Sequence, residues 1–405
     1  LILQSIDEPK IDILPTKPPV RHLAYLDGVR AFAALYVMVS HIMGEIWAHP
    51  HRYHGFAFVM GLTFHFAHIA VGLFIVLSGF CLMLPVIRAN GILRGGALDF
   101  FKRRALRILP TYYLSLAFSL ILIFTILGQK TGTLWDCAIP VTKMGLLVHL
   151  LMLQDIWFRE QINYTHWSVA VEWLIYFCMP ALVMSYGKIG ALKTTLLVAI
   201  VSTISYFLLA NSVFAGVYPQ YYLLFTLGLL GATIAYSKNE SWEKWRSFPY
   251  LPCSALFIIP ALVLNLDQKE PKIFVYLGEV IVGILSLCLL VGLSLSPSGK
   301  ARRFFETRFL VWVGTFSYSL YLVHAPLVKA VLQYIIAPMH QMAIVNFLLL
   351  ATGGSAIIVV TSYGFARIAE FPFVKKPAKS PDLVEVTVTR GRYAEAIIDK
   401  DTTFI

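Results

Sequence analysis

The chain has 405 residues, 58% of them hydrophobic and only 14% charged, where a soluble globular domain carries about 25% charge. With a mean hydropathy of +0.73, this composition excludes a water-soluble fold. A net charge of +11 invites a nucleic-acid partner, but the placement of the charges argues for membrane topology and against nucleic acid.

Residues 1–24 are polar and Pro-containing and read as a soluble N-terminal segment. Apolar runs follow, each near the ~20 residues that cross hydrocarbon. They predict ten spans, at 27–48, 61–87, 105–127, 166–186, 190–209, 220–236, 250–266, 273–295, 309–335 and 342–365. The run 250–266 is short and holds Pro252 and Pro260, and 144–153 is too short to cross, so it is expected to lie in the interface or re-enter. A membrane barrel would instead show ~10-residue alternating segments, so the spans are helices. The segment 128–165 is the longest connection, long enough to cover a site or meet an acceptor. Its Asn163-Tyr164-Thr165 sequon abuts the next span and is expected to stay unused. Residues 374–405 return to mixed composition as a tail.

With the N-terminus inside, the inner connections hold Lys10, Lys17, Arg21, Arg88, Arg94, Lys102, Arg103 and Arg104. Further along they hold Lys188, Lys193, Lys238, Lys244, Arg246, Lys300, Arg302, Arg303 and Arg308. The outer connections hold only Arg52, Lys130, Lys143, Arg159, Lys269 and Lys272. This bias predicts an all-α polytopic transmembrane helical bundle of about ten spans with both termini cytoplasmic. Its parts are a cytoplasmic N-terminal segment (1–24), a membrane domain (25–373) and a cytoplasmic tail (374–405), in a plasma or inner membrane. The first span carries Arg30, His41 and Glu45 behind about 25 polar residues, unlike a cleaved signal peptide. Of five cysteines, only Cys137 falls in an outer connection; no metal spacing is present and no disulfide is expected.

Ionisable residues within spans cost about 2.5–3.5 kcal/mol each on insertion scales and therefore need a reason. Arg30 and His41 are eleven residues apart, about three turns, so they share one helix face roughly 16 Å apart. Glu45 follows His41 by four residues and can accept from its ring, although a place in water near the outer end is the favoured reading. Counting depth from the expected span ends puts His41, Glu172, Glu279 and His324 near one level, with the arginines at the opposite side. Arg103, Arg104 and Arg107 open the third span, and guanidinium groups at such spacing suit phosphates. The two ends together suit a coenzyme A thioester, with phosphates on the arginines and the reactive group near His41.

Plainer roles stand beside these. The arginines can be positive-inside anchors, His324 can satisfy a carbonyl freed by Pro326, and Glu172 and Glu279 can be interhelical contacts. Lys329 is expected to snorkel outward, and His65 and His68 to be interfacial or packing residues. A transporter or flippase of an amphiphilic or lipid-linked molecule is the alternative function, since buried charge at mid-depth suits it equally. The chain shows no inverted repeat to favour it.

Six elements resemble the acyltransferase 3 family. They are Leu26-Asp27-Gly28-Val29-Arg30-Ala31 followed by His41, Gly72–Phe80, Phe101–Pro110, His166-Trp167-Ser168-Val169-Ala170-Val171-Glu172, Gly314–His324, and Glu370-Phe371-Pro372. Ala31 stands where glycine is common. The resemblance implies transfer of an acyl group, often acetyl, from cytosolic acyl-CoA to a hydroxyl of an extracytoplasmic or membrane-borne carbohydrate, lipid or small molecule. Arg30, Arg103, Arg104 and Arg107 are then expected to hold the donor. His41 is expected as general base or acyl carrier, Glu172 as its orienting group or the acceptor's, and His324 as a second acid/base. No metal is expected. No hydrolase-like domain follows the spans, so the membrane domain is expected to complete the transfer.

Overall fold

The computed structural model describes residues 23–47, 55, 59–60, 63–64, 66–157, 160–265 and 272–373. The ends expected to be soluble fall, over 1–22 and 374–405, outside the described residues, as do Lys10, Lys17, Arg21, Arg52, His65, Arg159 and Lys269.

The described residues are mostly helical, with no strand among them. Helices α1 (Ala24–Ile46), α2 (Ala67–Arg88) and α3 (Gly96–Leu122) open the bundle, and α3 runs on through a π-helical turn to Leu127. After the short α4 (Lys143–Leu150) come α5 (His166–Tyr176), α6 (Met179–Ile189), α7 (Ala191–Leu209) and α8 (Pro219–Tyr236). The single turn α9 (Glu243–Arg246) leads into α10 (Tyr250–Leu264) and α11 (Lys272–Leu295). The short α12 (Lys300–Phe305) and α13 (Arg308–Gly314) precede α14 (Ser317–Val331), α15 (Ala343–Leu349) and α16 (Ser355–Ala369). Eight helical stretches are long and apolar enough to cross a bilayer, or ten when the bent pairs α5–α6 (46°) and α9–α10 (58°) each count as one. The protein is thus an integral membrane protein, with eight to ten candidate crossings among the described residues.

Two expected elements differ from what forms. The fourth span breaks at Phe177-Cys178, and Pro180 sits in the first turn of α6, where its missing N–H costs nothing. The ninth begins at Ser317, because the chain breaks after Gly314. A Cβ there would lie 2.3 Å from the Asp27 carbonyl oxygen, so glycine lets α13 press against the start of α1. The stretch after α4 does re-enter the protein: Gln154, Asn163, Thr165 and His166 are all fully buried.

Backbone proximity holds the centre together. A Cβ on Gly79 would meet the Phe225 carbonyl at 2.1 Å, and one on Gly228 would meet the Val76 carbonyl at 2.0 Å. Helices α2 and α8 therefore touch main chain to main chain, the usual mode where lipid offers no hydrophobic drive for association. Leu196, Ile200, Ile204 and Leu208 of α7, with Leu256, Ile259 and Val263 of α10, stay exposed, as lipid-facing surfaces do. At one end of the bundle the Tyr25 hydroxyl meets those of Tyr236 and Ser294 at 3.0 and 2.7 Å. At the other end Tyr36 donates to the Thr63 carbonyl, and His68 bonds Asn265.

Candidate functional site

The end of the bundle beyond the midpoint of α1 holds a histidine pair. His41 Nδ1 lies 2.8 Å from His324 Nε2, with the rings nearly coplanar at 8°. His324 is fully buried, and its Nδ1 is 3.1 Å from the Leu320 carbonyl. A carbonyl only accepts, so His324 Nδ1 carries the hydrogen, and in the neutral ring Nε2 is then the acceptor. His41 Nδ1 must therefore donate to it. The lone pair of His41 is left on Nε2, the one ring nitrogen of the two residues that no described group occupies. The Tyr164 ring packs edge-on against His41 at 4.8 Å, and Tyr321 stands 5.9 Å from His324 while bonding the Ser168 hydroxyl at 2.6 Å.

The long connection makes this arrangement possible. Pro326 has no N–H, which leaves the Leu322 carbonyl four residues earlier without its helical partner. Asn163 supplies the donor, at 2.9 Å, and also bonds Ser119. The expected role of His324 as filler for that freed carbonyl is thus taken by Asn163, and His324 is left to bond His41. Asn163 itself is fully buried. The segment is held by His149, which donates from Nδ1 to Gly145 and accepts from the Ile162 N–H; burial lowers its affinity for a second proton.

At the opposite end Arg30 donates to Asp27 at 2.6 Å and to Cys81 Sγ at 3.0 Å. Cys81 lies within electrostatic reach of Arg30, Arg104 and Arg107 together. Glu370 accepts from the Ser319 N–H and hydroxyl at 3.1 and 2.6 Å and faces Arg107 and Arg30. Arg104 is 8% exposed and its Nε has no partner; its neighbours include Arg107, Tyr176 and Glu172. Three guanidinium groups thus meet three carboxylates, Asp27, Glu172 and Glu370. By count the cluster is balanced, and what it offers an anion is the unused donor of Arg104. Helix α14 joins the two ends: Ser319 holds Glu370, and His324, five residues on, holds His41, a rise of about 7.5 Å.

Several expected placements are corrected. Arg103 does not join the cluster, because it pairs with Asp99 one turn back and donates to the Arg94 carbonyl. Glu172 does not orient His41. It accepts from Tyr176 at 2.5 Å, and Tyr176 also meets Ser78. The depth count failed because α5 starts at a buried His166 rather than at an outer surface, which carries residue 172 toward the arginines. Glu279 joins neither the histidine pair nor the arginines; it lines a cavity with His68. Arg30 and His41 bond different neighbours, α2 and α14 respectively.

Glu45 and Lys329 overturn their reading as water-facing groups. Each is only 2% exposed, and they face one another at 3.9 Å, while Lys329 also donates to Thr131 and, at 2.8 Å, to Thr133. Each is therefore the other's counter-charge, which neither position reveals along the chain. Removing one partner strands a buried charge, so Glu45→Ala or Lys329→Ala alone is expected to destabilise by about 3–5 kcal/mol. The double variant Glu45→Leu/Lys329→Met is expected near wild type in thermal unfolding of reconstituted protein. A single variant that melts with the wild type would remove the pair from the account.

Tyr164, Asn163 and Tyr321 are site neighbours that the span-by-span reading did not single out. Only the asparagine gave a signal, and as a sequon it pointed to the surface. No group of histidine, cysteine or carboxylate side chains suited to a metal occurs among the described residues.

The acyltransferase 3 model, described as an acyltransferase domain, matches residues 23–367. A protein of Bacillus subtilis strain 168 named as a candidate peptidoglycan O-acetyltransferase, YrhL, is 25% identical over 76% of this chain and 49% of its own. The O-acetyltransferase OatA of Staphylococcus aureus strain NCTC 8325 is 22% identical over 93% of this chain and 61% of its own. The chain thus spans about half to three-fifths of the length of these relatives. No solved structure matches it.

Proposed function

We propose, from the premise that this chain belongs to the acyltransferase 3 family, that it moves an acetyl group from a coenzyme A thioester to a hydroxyl of a carbohydrate acceptor. The observation that carries this reading is the hydrogen-bond chain from the Leu320 carbonyl through His324 to His41. It fixes both tautomers and leaves one basic nitrogen, His41 Nε2, available to a substrate. The acetyl group and the carbohydrate come from the names of the relatives.

In this reading His41 Nε2 takes the proton of the acceptor hydroxyl as its oxygen forms a bond to the thioester carbonyl carbon. The tetrahedral adduct then expels the thiolate, which recovers that proton from His41, yielding ester and free coenzyme A. While His41 is cationic, its Nδ1–H bonds the Nε2 lone pair of His324, which stabilises the charge without itself taking the proton. In the alternative route His41 Nε2 attacks the thioester carbonyl carbon and expels the coenzyme A thiolate, giving an acyl-imidazole; the acceptor hydroxyl then attacks that acyl carbon, its proton passes to the thiolate, and neutral His41 leaves. The unpartnered Nε of Arg104, with Arg107 and Arg30, suits the donor's phosphates. The arginine end also gathers the cationic connections around α9 and α12, since α1 starts beside Tyr236, Ser294 and Phe305. By the positive-inside bias it faces the cytosol, with both chain ends. Residues 25–373 are the catalytic unit between soluble segments 1–24 and 374–405.

The test is the full chain in nanodiscs with radiolabelled acetyl-CoA and a panel of methyl glycosides. Label is expected to pass to glycoside or, without one, slowly to water. Label that stays on coenzyme A in every reaction of a folded preparation would rule out the donor. Label trapped on denatured protein would select the acyl-imidazole route.

A further inference from the structure

A cavity borders α5, and neither the proposed chemistry nor the arginine cluster uses it. It has a volume of about 330 Å³, at the small end of ligand pockets, which run about 300–1,000 Å³. Its walls come from the start of α8, the end of α7, the start of α11 and Trp167 of α5. Trp167, Tyr218 and Tyr221 form a tilted aromatic cluster with centroids 5.2, 6.0 and 5.7 Å apart.

Two side chains that line the cavity each hold an acceptor oxygen without a partner. Glu279 is 5% exposed and Gln220 6% exposed; Glu279 Oε2 and Gln220 Oε1 have no hydrogen-bond partner. Glu279 Oε1 receives only a long 3.4 Å bond from Tyr221. A buried carboxylate oxygen and a buried amide oxygen left open cost free energy unless a ligand donates to them. An ammonium ligand would satisfy both, but Lys272 also lines the cavity and His68 faces Glu279, which disfavours a second cation. Hydroxyl groups donate without charge, and a pyranose ring presents an apolar face to aromatic rings beside its hydroxyl edge.

We infer that this cavity binds one monosaccharide unit, with its ring against Trp167 and Tyr221 and its hydroxyls donating to Glu279 and Gln220. Resting on the proposed function, the unit belongs to the acceptor. The cavity wall adjoins the pair: Ser168, next to Trp167, bonds Tyr321, whose ring stands against His324.

The probes are methyl β-D-glucopyranoside, methyl β-D-galactopyranoside and N-acetyl-D-glucosamine, with choline as the cationic competitor. Saturation-transfer NMR on the full chain in nanodiscs, without donor, is expected to show saturable binding of at least one sugar and no displacement by choline. Glu279→Gln is expected to weaken binding at least tenfold. Tyr221→Phe, which keeps the ring and frees Glu279 Oε1, is expected to retain binding and thereby control for folding. Wild-type affinity in Glu279→Gln, displacement by choline, or no binding of any sugar would each overturn the assignment. Sugar binding without acyl turnover would sink the proposed function and leave the binding site standing. Acyl turnover without sugar binding would overturn the site alone.

Discussion

Replacing His41 with alanine is expected to abolish measurable acyl transfer, and His324→Leu to lower it by about 10²–10⁴-fold, the usual weight of a positioned proton-transfer group. The reasons differ. His41 Nε2 is the basic nitrogen itself, whereas His324 acts through it as a positioning residue, since His324 Nε2 accepts the His41 Nδ1 hydrogen. Leucine at 324 removes that acceptor, so His41 can hold its hydrogen on either nitrogen and loses stabilisation of its cation. Glutamine at 324 can offer an amide oxygen to the same hydrogen and is expected to recover part of the rate where leucine does not. That rescue separates a tautomer-setting role from mere packing. The double variant is expected to be no slower than His41→Ala alone, because residues acting as one unit are not additive. Single-turnover rates with labelled acetyl-CoA, on preparations matched for melting temperature, provide the check. Full activity in His324→Leu would dissolve the relay.

The second large effect concerns the donor. Arg104→Gln and Arg107→Gln are each expected to weaken coenzyme A binding by about 10–150-fold, since a hydrogen bond to a charged group is worth about 1.5–3 kcal/mol. Arg103→Gln, one position from Arg104 and four from Arg107, is expected to change it less than twofold, because Arg103 is bound to Asp99 and Arg94. The contrast among three neighbouring arginines is what a general basic patch would not give. Ligand-induced stabilisation measures it directly: at 100 times its dissociation constant a ligand adds about 2.7 kcal/mol, so coenzyme A should raise the melting temperature of the wild type and of Arg103→Gln. In the other two the same concentration should add only about 0.3–1.4 kcal/mol, a visibly smaller rise. Equal thermal shifts in all four proteins would defeat the assignment.

Much of the architecture follows from local arithmetic along the chain. Hydropathy sums over about 20 neighbouring residues, so the spans, their approximate number and the expensive residues inside them need no knowledge of packing. Helical spacing likewise places Arg30 and His41 on one face of α1, and six ordered elements carry the family resemblance. Where helices meet is less local: Gly314 lies against the Asp27 backbone, a contact 287 positions away in sequence.

Partnerships depended on how the helices rotate against one another. Glu45 found Lys329 and not water, Arg103 found Asp99, and Glu172 found Tyr176. Asn163, on a connection that reads as exterior, reached in to the carbonyl that Pro326 had freed. A buried polar group must meet a partner somewhere, and periodicity reveals the need without the address. Folding alone brought His324 of α14 to His41 of α1, because a hydrogen bond is satisfied in space and not along the chain.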